Sequence, residues 1–457
     1  TNINSWLSRF HNTVGKDVTT YIRQHLRTNS ASPFGQFYIL YKIHKGPNNG
    51  RWRTRPVCLD VSSITHGLGK WITEMLQPIA QNQQSYFKDS FTLKDQLMKI
   101  SIPPGGKLFT CDATSMYTNI RTGPAIEHIS RHLRAECGKT YNHYNVDTLI
   151  EAIHIVFENN IIAFGDTFWK QISGTGMGIS PAPPWATIFF GLFETGLYQR
   201  WSTNLGFYRR FIDDVIGIWI PHPCPATNET LWNAFKLDMQ QWHGLQWTFE
   251  DLSTSVNFMD LTISIVDGHL NTTLYEKPQN LYLYLPPHSS HPRGIEAGLI
   301  YGQVRRIRRL CSNKADSDTC IKRLFQRLVA RGHKPERLIP IFTRAETDIT
   351  HSLKHEGTHF DRTAPQQQQH TERALFFHMK YHPEDPPQRL IQHLWQQHIE
   401  NPPNETPLSQ LTNNEGNPIC FDRLVVAYSR HINLRNIFSV RNINGRGKKV
   451  SHYLPEL

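Results

Sequence analysis

The chain has 457 residues, of which 39% are hydrophobic and 19% charged, and carries a formal net charge of +11. That length supports two or three domains with real cores, and the composition excludes a disordered chain. A positive balance suits a polyanionic partner, although solubility alone could call for the same sign. Seven cysteines, odd in number and without any C-x-x-C, argue against a disulfide framework or a structural zinc site and fit a reducing compartment. No run reaches transmembrane length and no signal peptide is visible, so no membrane partner is expected. The chain begins at Thr1, which implies a longer parent sequence.

Residues 1–30 read as helical, with Trp6, Leu7, Phe10 and Val14, then Val18, Tyr21, Ile22 and Leu26, at helical spacing. A β-like run from Phe34 to Pro47 carries Lys42, His44 and Lys45. After a Gly-Pro-rich turn, the basic segment Arg51 to Val57, with Arg53 and Arg55, returns from it. On residues alone this is a basic hairpin, and a solvated one is the plainest reading. Ile64, Leu68, Trp71, Ile72 and Met75 then trace a helix face.

Leu108, Phe109 and Thr110 read as a buried strand that ends at Asp112. Two amphipathic helices follow, marked by Ile126, Ile129 and Leu133 and by Leu149, Ile150, Ile153 and Val156. Residues 171–194 join glycines, which let backbone approach a ligand, to an apolar helix entered at Ser180-Pro181. The stretch FYRRFIDDVIGIWI (207–220) has the pattern of a β-hairpin with Asp213 and Asp214 at its tip. Adjacent acids beside a core are costly unless a cation neutralises them, and a divalent metal is the usual answer. A polar turn is the plainer alternative. With Asp112 as a third carboxylate, the set matches two-metal nucleotidyl transfer, in which cations about 4 Å apart activate a 3′-hydroxyl and stabilise the leaving pyrophosphate.

Leu231, Phe235 and Met239 begin another helix, and Trp247–Glu250 and Phe258–Ile265 read as strands. From about residue 276 basic residues accumulate against few acids. Arg305, Arg308 and Arg309 share one face of a helix whose other face is Val304, Ile307 and Leu310. A one-sided basic helix suits a nucleic-acid backbone, since phosphate contacts need charge and no sequence reading. The glutamine tract 366–369 reads as a loose loop, and Leu390, Ile391, Leu394 and Trp395 mark a late helix before a basic tail.

The series FYILYKIHKGP (37–47), RTRPV (53–57), CDATSMYTNI (111–120), GTGMGISPAPPWA (174–186), FYRRFIDDVIGIW (207–219), VNFMDLTISI (256–265), LYEKPQNLYLYL (274–285) and HPRGIEAGLIYGQVRRIRRLCS (291–312) resembles, in order, the reverse transcriptases of Penelope-like retroelements, relatives of telomerase catalytic subunits. The resemblance implies an α+β right-hand polymerase with fingers, a palm built on a small antiparallel sheet, and a helical thumb. It implies an N-terminal helical extension at 1–30, fingers at 31–105, palm at 106–275, and thumb with a basic extension at 276–457. It implies RNA-directed DNA synthesis from dNTPs on an RNA template and DNA primer, held as an RNA–DNA duplex, in the nucleus.

Two Mg²⁺ ions, replaceable by Mn²⁺, are implied on Asp112, Asp213 and Asp214, with the Ala113 carbonyl as a further ligand. Asp112 and Asp213 would bridge both ions, and Asp214 would stand mostly behind them. Lys42 and Arg55 would meet the triphosphate, Tyr117 would act as the steric gate against ribose, and Met177-Gly178 would support the base pair. Many reverse transcriptases place Gln where Met177 stands, a departure that Penelope-like members share. Asn257, Phe258 and Met259 would form the primer grip. A telomerase-like or domesticated cellular polymerase would share this chemistry, and a non-catalytic nucleic-acid binder could keep the fold without it.

Overall fold

The computed structural model describes residues 2–28, 33–42, 46–61, 63–136, 145–292, 294–356, 374–397 and 423–429. The glutamine tract and the basic tail lie outside them. The chain divides into two compact units, one centred on Thr1–Asn280 and the other on Leu281–Arg309 and Lys314–Asn442.

The first unit opens with α1 (Asn2–Val14) and α2 (Lys16–Thr28). Trp6, Leu7, Val14 and Ile22 are buried as their spacing requires, and Trp6 Nε1 donates to the carbonyl of Thr148 at 3.1 Å. There follow β1 (Gly35–Tyr41), β2 (Pro47–Asn48), β3 (Arg51–Trp52) and β4 (Thr54–Leu59), then α3 (His66–Gln81) and α4 (Ser90–Leu97). The basic run folds back as expected, with β1 antiparallel to β4 and Leu40 opposite Arg55. Asp89 caps α4, its carboxylate accepting the Thr92 N–H at 2.8 Å.

Next come β5 (Lys107–Ala113), α5 (Met116–Asn119), α6 (Thr122–Glu136), α7 (Val146–Glu158), β6 (Ile161–Phe164), β7 (Thr167–Lys170) and α8 (Ala182–Arg200). The unit continues with β8 (Leu205–Phe211), β9 (Asp214–Trp219), α9 (Pro225–Met239), β10 (Trp247–Phe249), β11 (Ser255–Phe258), β12 (Leu261–Val266) and β13 (His269–Leu274). The central sheet has the order β10-β5-β9-β8 and is antiparallel throughout. Helix α8 is apolar nearly all round and is buried accordingly, from Trp185 through Phe190 to Leu197.

Two boundaries differ from the sequence reading. Strands β6 and β7 fall inside the stretch assigned to the palm, yet β6 pairs in parallel with β1, giving a sheet of order β4-β1-β6-β7. The segment 258–265 is not one strand: Met259, in the left-handed region at φ 51°, and Asp260 form a two-residue turn between β11 and β12.

In the second unit, α10 (Ile295–Leu310), α11 (Lys314–Ala330) and α12 (Pro335–Glu356) precede β14 (Ala374–Lys380), α13 (Gln388–Trp395) and β15 (Arg423–Ser429), and β14 and β15 pair in parallel. Ile300, Val304, Ile307, Leu324, Leu328, Leu338 and Phe342 are buried. Two basic residues of this unit contact the segment that precedes α10. The Arg327 guanidinium lies 3.6 Å from the centre of the Tyr282 ring, and Arg331 Nε donates to the carbonyl of Tyr284 at 2.8 Å.

Candidate active site

Alternation along two strands decides which acids reach the surface. On β5, Phe109, Cys111 and Ala113 join the core, as do Val215 and Trp219 on β9. Asp112 is one residue out of phase and faces the other way. Its partner across the strand pair is Asp214, so the two carboxylates lie side by side on the face away from the helical core. Gly217, opposite Phe109 on the neighbouring strand, leaves room for that ring, because a Cβ there would stand 2.2 Å from it.

Asp213 occupies the turn between β8 and β9. Phe211 pairs with Asp214, leaving Ile212 and Asp213 as a two-residue loop with Ile212 at φ 58°. Positive φ at the first loop position is what a type II′ hairpin turn requires, and glycine is its usual occupant. A β-branched residue there is strained, and strain of this kind gathers at functional sites. The Ala113 N–H donates to the Asp213 carbonyl at 2.9 Å, tying this turn to the end of β5.

Burial pushes the Asp213 carboxyl above its ordinary value, against the pull of its own backbone N–H and the charges of Arg55, Arg210 and Lys42. A carboxyl raised in the folded state costs stability once pH passes its unfolded value; the cost is complete above the folded value and is relieved as pH falls. Asp213→Asn is therefore expected to raise the Tm of the metal-free protein at pH 7, with the gain shrinking towards acid pH. A Tm at or below the parent's at pH 7 would contradict this.

A cleft of about 1100 Å³ lies over the paired acids, and Asp112, Asp214, Glu250, Lys42, Arg53 and Lys277 line it. Asp214 stands across the strand pair from Asp112, and Asp213, in the adjoining turn, feels the charges of Arg55 and of Lys42, which lines the same cleft. Asn257, Phe258 and Met259 also line the cleft, bringing the expected primer grip to the same space as the acids. Glu250 carries no mark in the sequence that sets it apart as a site residue, whereas Arg53 stands there only as a member of the basic segment 51–57 and Lys277 only within the stretch 274–285. Glu250 accepts from Thr110 Oγ1 at 2.7 Å, which holds a further acid beside β5.

Tyr117 is half-buried at the start of the short helix after β5, and burial together with the Asp213 charge pushes its hydroxyl up to about 12. Its ring therefore stays neutral near Asp213. The glycine-rich loop is fixed on both sides of it: the Thr175 N–H donates to the Tyr117 carbonyl at 2.6 Å, and the Cys58 N–H donates to the Met177 carbonyl at 2.7 Å. Gly178 has φ 112°, and a Cβ there would stand 2.7 Å from the Cys58 carbonyl oxygen. Met177-Gly178 is thus clamped to β4, the strand that carries Arg55.

The donor chemistry suits a hard divalent cation: carboxylate oxygens from two strands, at the edge of a cleft holding several cations. Among the described residues no three His, Cys, Asp or Glu side chains are gathered at metal-ligating spacing. Mg²⁺ commonly takes one or two carboxylates and completes its shell with water and substrate phosphates, so these residues fit an ion that arrives with a triphosphate.

In the second unit, Arg305, Arg308 and Arg309 do not act alike. The Arg308 side chain is 13% exposed; it donates to Ser317 Oγ at 2.5 Å and is ion-paired to Asp318 at 2.6 Å and to Glu346. A guanidinium so engaged binds α11 and α12 to α10 and is not offered to phosphate, which corrects its assignment to the nucleic-acid face. Sequence spacing groups it with its neighbours because the acids it meets are distant in the chain. Arg305 is exposed and Arg309 partly so. Arg305→Gln with Arg309→Gln is expected to make the salt dependence of duplex affinity shallower, by about 0.9 in log–log slope for each phosphate no longer neutralised. An unchanged slope measured by titration at several salt concentrations would remove both from the interface.

No curated protein sequence matches the chain. A model for the animal helix-turn-helix domain matches residues 283–340, the stretch holding α10, α11 and the start of α12. Similar solved structures include telomerase from Candida albicans in complex with the TWJ fragment of telomeric RNA, at 9% identity and a TM-score of 0.44 over 72% of this chain and 58% of that one. Apo telomerase from Candida tropicalis is similar at 11% identity and a TM-score of 0.40, over 59% of this chain and 51% of that one. The BmCPV RNA-dependent RNA polymerase at its elongation state is similar at 11% identity and a TM-score of 0.42, over 64% of this chain and 27% of that one. The chain thus spans little more than half the length of the telomerase chains. Its described helices and strands make it a mixed helix-and-sheet protein, and among them none is long and apolar enough to cross a membrane.

Proposed function

We propose that this chain is an RNA-directed DNA polymerase of the Penelope-like kind, extending a DNA primer with dNTPs on an RNA template. The observation that carries the reading is the pairing of Asp112 with Asp214 across β5 and β9, beside the Asp213 turn and under a cleft holding Lys42 and Arg53. Asp112, Asp213 and Asp214, with the Ala113 carbonyl as a further oxygen donor, would hold Mg²⁺ or Mn²⁺, which when bound would activate the primer 3′-hydroxyl and offset charge on the leaving pyrophosphate.

The chain's own residues do the rest. Lys42, Arg53 and Arg55 neutralise and orient the triphosphate, and Arg55 lies close enough to act on the Asp213 charge. Tyr117 stands beneath the sugar, and the clamped Met177-Gly178 backbone offers a firm floor to the base pair. Asn257, Phe258 and Met259 hold the primer end, and Arg305 and Arg309 track the duplex backbone. A nuclear site of action accompanies this reading. It is tested by extending one DNA primer on matched RNA and DNA templates. Extension on RNA supports the reading, and extension confined to the DNA template would refute RNA-directed synthesis.

A further inference from the structure

Arg210 stands on the core side of its strand. It pairs with Val215 on the face that carries Tyr208, and its side chain is wholly buried. Glu194 of α8, itself 3% exposed, receives it: Arg210 Nε donates to Oε1 at 2.5 Å and Nη2 to Oε2 at 2.9 Å. Glu194 is held in turn by the hydroxyls of Ser85 at 2.5 Å and Tyr208 at 2.8 Å. The guanidinium has two further acceptors, both backbone: the carbonyl of Thr187 on α8 and the carbonyl of Ile212, each at 2.9 Å.

A buried ion pair is weak evidence for stability, since well-packed apolar residues often do as well in its place. What an apolar pair cannot do is grip a carbonyl. Of the two gripped here, one belongs to α8 and the other to Ile212, the left-handed residue immediately before Asp213. We propose that the Glu194–Arg210 pair is a positioning device for the Asp213 turn, anchoring the Ile212 carbonyl to α8 and so fixing where Asp213 presents its carboxylate. Arg210 and Glu194 touch no substrate and act through the turn. The inference rests on the polymerase reading above for its kinetic consequence, and on the turn alone for its effect on metal affinity.

The test replaces both partners, Arg210→Met with Glu194→Met, so that neither charge is left buried alone. The double variant is expected to fold with a Tm near the parent's. Its kcat for primer extension should fall about 100-fold, the cost of a misplacement of roughly 1 Å, with little change in KM for dNTP. Mn²⁺ affinity, followed by EPR, should weaken in parallel. Arg210→Lys keeps a charge for Glu194 but lacks the planar fork that spans helix and turn, and should fall between the two. A folded double variant with the parent's kcat and Mn²⁺ affinity would overturn the inference and leave an ordinary core ion pair. Should the double variant fail to fold, Arg210→Lys decides: a folded, slowed enzyme supports the device and an unslowed one overturns it. A parent that extends no primer would sink the polymerase reading instead, and Mn²⁺ affinity would still judge the turn.

Discussion

Asp213→Asn is expected to lower primer extension on the order of 10³-fold. The change keeps the shape of the turn and removes the charge. A metal-held phosphoryl centre draws several kcal/mol of transition-state stabilisation from its ions, and each 1.36 kcal/mol is a factor of ten in rate. Duplex binding should survive, because the Arg305 and Arg309 surface lies in the other compact unit. The same substitution relieves a buried charge, so activity and Tm should move in opposite directions. That pairing separates loss of chemistry from loss of fold. Near-native extension by a folded Asp213→Asn protein would end its assignment as a metal carboxylate.

The second large effect is expected at Tyr117, and it lies in selectivity. Tyr117→Ala opens space beneath the sugar, so the ratio of kcat/KM for ribonucleotide over deoxyribonucleotide should rise by about tenfold or more, even as overall turnover drops. Removing a large ring can itself cost up to about 3 kcal/mol of stability, with the half-buried position favouring the lower part of that range. A ring that only packs would lower both sugars alike. Unfolding must therefore be followed alongside the kinetics. A folded variant that discriminates as well as the parent would remove the gate, leaving Tyr117 as the anchor for the Thr175 N–H.

Much of the site is legible in sequence because it depends on local alternation. The apolar runs around Asp213-Asp214 predict a hairpin, and a hairpin is found, with its acids at and beside the turn. Asp112 is marked by interrupting an apolar strand, and its phase against Phe109 and Cys111 places it away from the core. The amphipathic faces of α1, α6 and α7 emerge as spacing requires, since a helix stripe is also a local pattern, whereas on α2 Ile22 is buried and Tyr21 stands exposed. What escapes depends on partners far along the chain. The parallel pairing of β6 with β1 joins residues more than a hundred positions apart, and nothing in either strand announces it. Arg308 shares a helical face with Arg305 in sequence, and only Glu346 and Asp318 reveal that its charge is already used.

Arg210 does carry a signal in sequence: a cation inside an apolar strand at a core-facing position, which a folded protein tolerates only with a buried partner. Met259 illustrates the converse. Its apolar side chain reads as strand, while the turn it occupies is fixed by the pairing of Phe258 with Leu261.

The most direct test of the central claim is single-nucleotide incorporation on an end-labelled DNA primer annealed to an RNA template. The parent would be assayed with and without Mg²⁺, beside Asp112→Asn and Asp214→Asn. The account predicts that the parent adds the complementary deoxynucleotide only when the metal is present, and that Asp112→Asn, folded and duplex-binding, adds none at a measurable rate. Asp214→Asn, whose carboxylate faces the same cleft, should be impaired as well. Metal-independent incorporation, or an Asp112→Asn protein that extends the primer at the parent's rate, would contradict it.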